Sequence, residues 1–289
     1  MHSSLASLRA FCLSAVVLLT AHAADTIALN VLPLEAPIEM AKKFKPLADY
    51  LGSTLGAEIA VKPGKDYAAS VADVGTLKHQ MAYTSPTLWA KMNRLHPDAG
   101  LEMVALVLLD GKPTTNSCII VPKDSPVQDL AGLKGRSFAF GNEDSTGSHL
   151  YPRWMLRQAG IDRDGGLSSF SYTGTHANVL KAVETGKADA GGLTESVARK
   201  GVEAGSVRIL ATSDPIPEFA IVINKSFPAA LKAKLLSALV GLDSSKPEHA
   251  AVLTPINKKA TGFTAAKGDE YAVPAKMIAE LYGDAFFAK

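Results

Sequence analysis

Cysteine is scarce: two in 289 residues, too few for a disulfide framework or a cysteine-rich metal module. Charge of one sign is missing as well. Thirty Lys+Arg stand against 28 Asp+Glu, with no run of five or more charges, so the basic footprint of a nucleic-acid binder is absent. The patterns G-x-x-x-x-G-K-[ST], G-x-G-x-x-G and G-x-S-x-G do not occur, which removes the common phosphate-loop, dinucleotide and serine-hydrolase signatures. His79, His96, His149, His176 and His249 show no metal-ligand spacing, so neither metal nor cofactor is expected. Beyond the first 23 residues no apolar run approaches the roughly 20 residues that a membrane span needs. Internal repeats and low-complexity tracts are also lacking.

What is present is a globular composition, 47% hydrophobic and 20% charged, able to bury enough apolar surface to offset its ordering entropy. Residues 1–23 carry Arg9, an apolar run from Ala10 to Thr20, and Ala21-His22-Ala23. This is the charged, apolar and A-x-A layout of a cleaved secretory leader. Cys12 lies inside the run and does not read as a lipoprotein cysteine. The mature chain, from Ala24, is then expected in an exported, oxidising compartment with one thiol, Cys118.

Strands and helices alternate along the rest, which points to an α/β protein with mainly parallel sheets. Ile27–Leu32 reads as a buried strand. Met40, Phe44, Leu47, Ala48 and Leu51 form one helical face, with Gly52 as its stop. A short helix is expected over Val127–Leu133, and two helical stretches, Leu231–Val240 and Pro274–Phe286, close the chain. Breaks near 111–116 and 212–218 bracket a middle block of about a hundred residues, an ordinary domain size. The simplest organisation is a discontinuous lobe, 24–113 plus 218–289, with a second lobe, 114–217, inserted through a two-segment hinge. A ligand would sit between them, at the carboxyl ends of strands.

Three strand-to-helix junctions carry chemistry. Gly141-Asn142-Glu143-Asp144-Ser145-Thr146-Gly147-Ser148 offers small residues for close backbone approach and hydroxyls on Ser145, Thr146 and Ser148. The helix beyond aims its free N–H groups at the same place, so an oxyanion can be held without Arg or Lys. Asp144 or Ser145 also suits a plain helix cap. Thr173-Gly174-Thr175-His176 adds a second helix start, the Thr175 hydroxyl and the His176 imidazole. From the other lobe, Tyr83-Thr84-Ser85-Pro86 brings hydroxyls of Tyr83, Thr84 and Ser85 to the opposite wall. Ser145, His176 and Asp189 could be written as a catalytic triad, but no spacing demands it.

These residues resemble the PhnD-type phosphate/phosphite/phosphonate solute-binding proteins of ABC transporters, which have the type II periplasmic-binding fold. The resemblance spans the mature chain. It rests on the order of Lys45-Pro46-Leu47-Ala48-Asp49-Tyr50-Leu51, Asp66-Tyr67-Ala68, the segment Ser117 to Pro126 (SCIIVPKDSP), Leu130 to Phe140 (LAGLKGRSFAF), Asp144-Ser145-Thr146 with Pro152, and His176 followed by Ala182 to Ala190 (AVETGKADA). It implies a non-enzymatic, monomeric periplasmic receptor with a small oxyanion ligand and an ABC permease as partner. It also implies Ser145 and Thr146 as phosphonyl-oxygen donors, His176 as an imidazole donor, Tyr67 as a cleft tyrosine, and Glu195 as a carboxylate for a ligand ammonium. Three departures stand out. Gly147 and Ser148 exchange the usual order, Thr114 or Thr115 replaces a tyrosine, and Phe219 replaces an amine-holding Asp, with Glu218 adjacent. Some relatives look like arsenite sensors coupled to a membrane histidine kinase. Cys118 is the possible thiol ligand for that second reading, although strand alternation sets it opposite Ser117.

Overall fold

The computed structural model describes residues 26–287; the leader expected over residues 1–23 lies outside them. From the N-terminal side run β1 (Thr26–Val31), α1 (Pro37–Leu55), β2 (Glu58–Pro63), α2 (Tyr67–Gly75), β3 (Met81–Thr84), α3 (Pro86–Leu95) and β4 (Glu102–Leu109). The chain crosses through β5 (Thr114–Thr115) into β6 (Ser117–Pro122), β7 (Ser137–Phe140), α4 (Tyr151–Gln158), the irregular turn α5 (Arg163–Gly166), β8 (Ser169–Tyr172), α6 (His176–Glu184), β9 (Ala190–Thr194), α7 (Glu195–Glu203) and β10 (Val207–Thr212). It returns through β11 (Ile216–Pro217), antiparallel to β5, into β12 (Ala220–Ile223), α8 (Lys232–Val240), α9 (Pro247–Leu253), β13 (Ala260–Ala265) and α10 (Ala272–Tyr282).

Two helix-flanked sheets result. One has the order β13-β4-β12-β3-β1-β2, the other β10-β6-β9-β7-β8. The first is built from residues on both sides of the middle block, so two segments, β5 and β11, join the halves. The sheets are mixed rather than mainly parallel. Parallel pairing is confined to β1 with β2 and β3, and to β7 with β8 and β9. The cause is the crossing itself: β6 and β12 begin at the connecting ribbon, so they run against the strands that end there.

Helix α1 buries Met40, Phe44, Leu47, Ala48, Leu51 and Leu55, the expected apolar stripe. It does not stop at Gly52. It continues to Leu55 and ends on Gly56, whose left-handed backbone (φ 72°) returns its N–H to the Gly52 carbonyl. The expected Val127–Leu133 helix is reduced to a 3-10 turn at Ala131–Leu133, because the Asp129 carboxylate accepts the Gly132 N–H and diverts the backbone. Between the two closing helical stretches the fold inserts α9 and β13. A seven-residue helix is too short to show a stripe, and β13 (ATGFTA) has little apolar alternation to read.

Two glycines set the second half's geometry. A side chain at Gly192 of β9 would lie 2.4 Å from Pro152 of α4, and one at Gly191 would lie 2.6 Å from Val179 of α6. The bare strand therefore lets both helices dock close on its two faces, with their N-termini at one edge. Helix α10 sits between the halves: Met277, Ile278 and Leu281 share a core with Leu150, Tyr151 and Ile216.

Candidate functional site

A cavity of about 340 Å³ opens between the two sheets. Its wall brings together Tyr67, Ser85, Ser145, Thr146, Ser148, Thr175 and His176. Among the described residues that line it there is no lysine or arginine, and Glu218 is its one carboxyl group.

The anion loop is shaped by local hydrogen bonds. The Asn142 side chain accepts the Asp144 N–H at 2.8 Å, and the Ser145 N–H donates to the Asn142 carbonyl at 3.0 Å. Ser145 then caps a π-helical turn, Thr146–Leu150, by accepting the Ser148 N–H at 3.1 Å. The expected helix thus starts inside the loop and not after it. Capping uses a lone pair of the Ser145 oxygen and leaves its proton for a guest. The N–H groups of Thr146 and Gly147 are among those that a helix start leaves without an intrahelical partner. Ser117, buried on β6, donates to the Gly147 carbonyl at 2.7 Å and fixes that peptide from behind. A side chain at Gly147 would lie 2.9 Å from the Thr194 methyl, too close without a shift of one of them, and in ordinary contact, 3.7 Å, with His176 Cε1.

Thr175 caps α6 by accepting the Asn178 N–H at 3.2 Å. The Thr194 amide donates to His176 Nδ1 at 3.1 Å. An amide N–H can only donate, so Nδ1 carries the lone pair and the neutral ring's proton sits on Nε2. Burial pulls the imidazole's pKa down to about 4. His176 is therefore a neutral Nε2–H donor at ordinary pH.

The halves also touch beside the cavity. Thr146 Oγ1 lies 2.8 Å from Thr87 Oγ1 and accepts the Thr87 N–H at 3.2 Å. Lys91 of α3 pairs with Asp144 at 2.6 Å. Tyr67, half-buried on the far wall, has its hydroxyl pushed up to about 12, by burial first and by the Asp144 charge second.

Several expected contacts fall elsewhere. Thr84 is buried in the central strand β3, its hydroxyl without a partner, and does not line the cavity. Tyr83 packs between Phe44 and Phe219. Only Ser85 and Pro86, beyond the strand's end, reach the crevice. Tyr83 and Glu195 line a second, wider space of about 810 Å³, which shares Thr115, Glu218, Phe219 and Asn257 with the first. There Glu195 is ion-paired with Arg199. The thiol reading of Cys118 is overturned. Its sulfur is fully buried with Ile120, Leu193 and Val207, 3.7 Å from the Thr212 hydroxyl, and burial pushes the thiol up, away from the thiolate a soft anion would need. The triad is absent too: Asp189 accepts from the Ser137 hydroxyl and amide, while His176 takes its hydrogen bond from Thr194.

Sequence reading missed Asn142 and Thr194, though an Asn three residues before a Ser cap is a recognisable turn signal. It also missed Ile216 and Asn257, which join Phe219 in the wall from distant segments and leave no local trace.

Comparison with known proteins gives the same direction. The family model described as "ABC transporter, phosphonate, periplasmic substrate-binding protein" matches residues 29–271. A curated relative, the probable ABC transporter phosphite binding protein PhnD1 of Prochlorococcus marinus (strain MIT 9301), is 22% identical over 246 residues, covering 80% of this chain and 81% of its own. PhnD1 solved with methylphosphonate superposes with a TM-score of 0.76 at 20% identity, over 90% of this chain and 99% of that one. XAC2383 of Xanthomonas citri, solved with chloride and with ATP, gives 0.77 for the chloride form at 18% identity, over 89% and 98%. The fold is that of the type II periplasmic binding proteins, and these relatives bind rather than transform their ligands. The chain belongs to the periplasmic phosphonate substrate-binding proteins of ABC transporters, and it is not an enzyme.

Proposed function

We propose that this protein, exported through a cleaved leader, captures a small tetrahedral oxyanion of the phosphonate, phosphite or phosphate type and delivers it to an ABC permease. The observation that carries the reading is the convergence of Ser145, the Gly147 N–H and the neutral His176 on one cavity without cations. Uncharged donors suit an anion that must be released again, since they strengthen in a dry cleft without adding a fixed countercharge. A guest touching both lobes binds the closed form better than the open one and shifts the pair toward closure. The methylphosphonate of PhnD1 fits this size class. Calorimetric titration with phosphate, phosphite, methylphosphonate and 2-aminoethylphosphonate tests it. Binding of at least one, weakened by Ser145→Ala and by His176→Ala, supports it; no binding, or unaltered affinity in both variants, defeats it.

A further inference from the structure

We infer that the cleft takes an oxyanion bearing a second anionic group, a carboxylate or phosphate a few bonds from the head, seated in the wider outer space; this rests on the oxyanion reading above.

Size comes first. Methylphosphonate has five heavy atoms, each comparable to a water with its share of about 30 Å³. It would fill less than half of the inner 340 Å³ and none of the adjoining 810 Å³. Ligand sites bury most of their guest's surface and are not normally left mainly to water.

Charge decides what the remainder of the guest carries. The outer space is lined by six basic residues. Three are neutralised locally, as Lys43 with Glu35, Arg199 with Glu195, and Lys259 with Asp110. Lys112, Lys200 and Lys258 have no acidic partner within ion-pair distance among the described residues. Lys112 and Lys258 lie in turns flanking β4 and β13, and Lys200 lies on α7, so the three come from both halves. An anion among them would draw the halves together, as the head does deeper in. Glu195 is occupied by Arg199, so it offers no free carboxylate to an ammonium. Of the four acidic residues of the outer lining, Glu35, Asp110 and Glu195 are the partners in those ion pairs, which leaves Glu218, at the boundary of the two spaces and only 6% exposed.

The test compares ethylphosphonate, phosphonoacetate and 2-aminoethylphosphonate by calorimetry on the full mature chain. Phosphonoacetate should bind about threefold to tenfold tighter than ethylphosphonate, the scale of a few screened ion pairs, and 2-aminoethylphosphonate should bind more weakly than either. The phosphonoacetate advantage should shrink from 20 to 300 mM salt. It should vanish in Lys112→Ala/Lys200→Ala/Lys258→Ala, which weakens phosphonoacetate more than ethylphosphonate. If ethylphosphonate binds and phosphonoacetate has no advantage, or the triple variant weakens both equally, this inference is overturned while the oxyanion reading stands. If no phosphonate binds but phosphate or phosphite does, this inference alone is overturned; if none of them binds, both are.

Discussion

Replacing Glu218 by Gln should change how stability depends on pH. Glu218 lies between β11 and β12; its N–H donates to the Pro113 carbonyl, and its carbonyl accepts the Tyr271 hydroxyl at 2.7 Å. Its carboxyl meets the cavity wall with no basic group as partner. Burial raises its pKa from 4.5 to about 7, opposed in part by the Phe219 N–H. The sign follows from proton counts. Between 4.5 and 7 the folded protein holds this proton and the unfolded chain has lost it, so folding stability falls as pH rises through that window and levels above it. The gap corresponds to about 3 kcal/mol. An amide in place of the carboxyl cannot ionise, so Glu218→Gln should gain about 3 kcal/mol relative to wild type between pH 4.5 and pH 8. For a chain of this size that is roughly 6–12 °C in Tm. Urea denaturation of both proteins at several pH values, without ligand, measures the difference, in which contributions of all other groups cancel. A wild-type-to-variant gap that stays constant from pH 4.5 to 8, or that shrinks, would refute the reasoning.

Four further outcomes are expected. Ser145→Ala should weaken oxyanion binding about tenfold to a hundredfold, the worth of one hydrogen bond to a charged group, with the Tm changed little beyond the lost cap; calorimetry and thermal melts separate the two. Gly147→Ala should cost about tenfold or more in affinity, because its methyl meets the Thr194 methyl at 2.9 Å, and titration of the folded variant checks this. In the ligand-free protein the half-buried His176 ring should titrate near pH 4, followed by NMR of its Cε1 proton; a midpoint near 6.5 would contradict the neutral ring. Gly192→Val should destabilise the fold by about 1–3 kcal/mol in urea melts, since Pro152 occupies the space its side chain needs.

Much of the candidate site was legible because its donors sit at helix starts. Ser145, Thr175 and His176 announce themselves as small polar residues between an apolar strand and an apolar helical stripe. The α/β alternation and the two breaks around the middle block were readable for the same reason. Strand direction was not, because no local pattern says whether β6 or β12 begins or ends at the ribbon. Nor was the fate of Tyr83 and Thr84. They directly precede Ser85, which reaches the crevice, and the end of β3 is fixed by its pairing with β1 and β12. The proton position on His176 depends on Thr194, eighteen residues on, which only the packing of α6 against β9 brings near. In the sequence Glu218 is simply the neighbour of Phe219; its burial is a property of the assembled wall.

The most direct measurement is a crystal structure of the protein with methylphosphonate. The account predicts phosphonate oxygens within hydrogen-bond distance of Ser145 Oγ, the Gly147 N–H and His176 Nε2, with no lysine or arginine in contact. A phosphonate seated instead on the lysines of the outer space, with His176 Nε2 and Ser145 facing away from it, would contradict the claim that uncharged donors hold the guest.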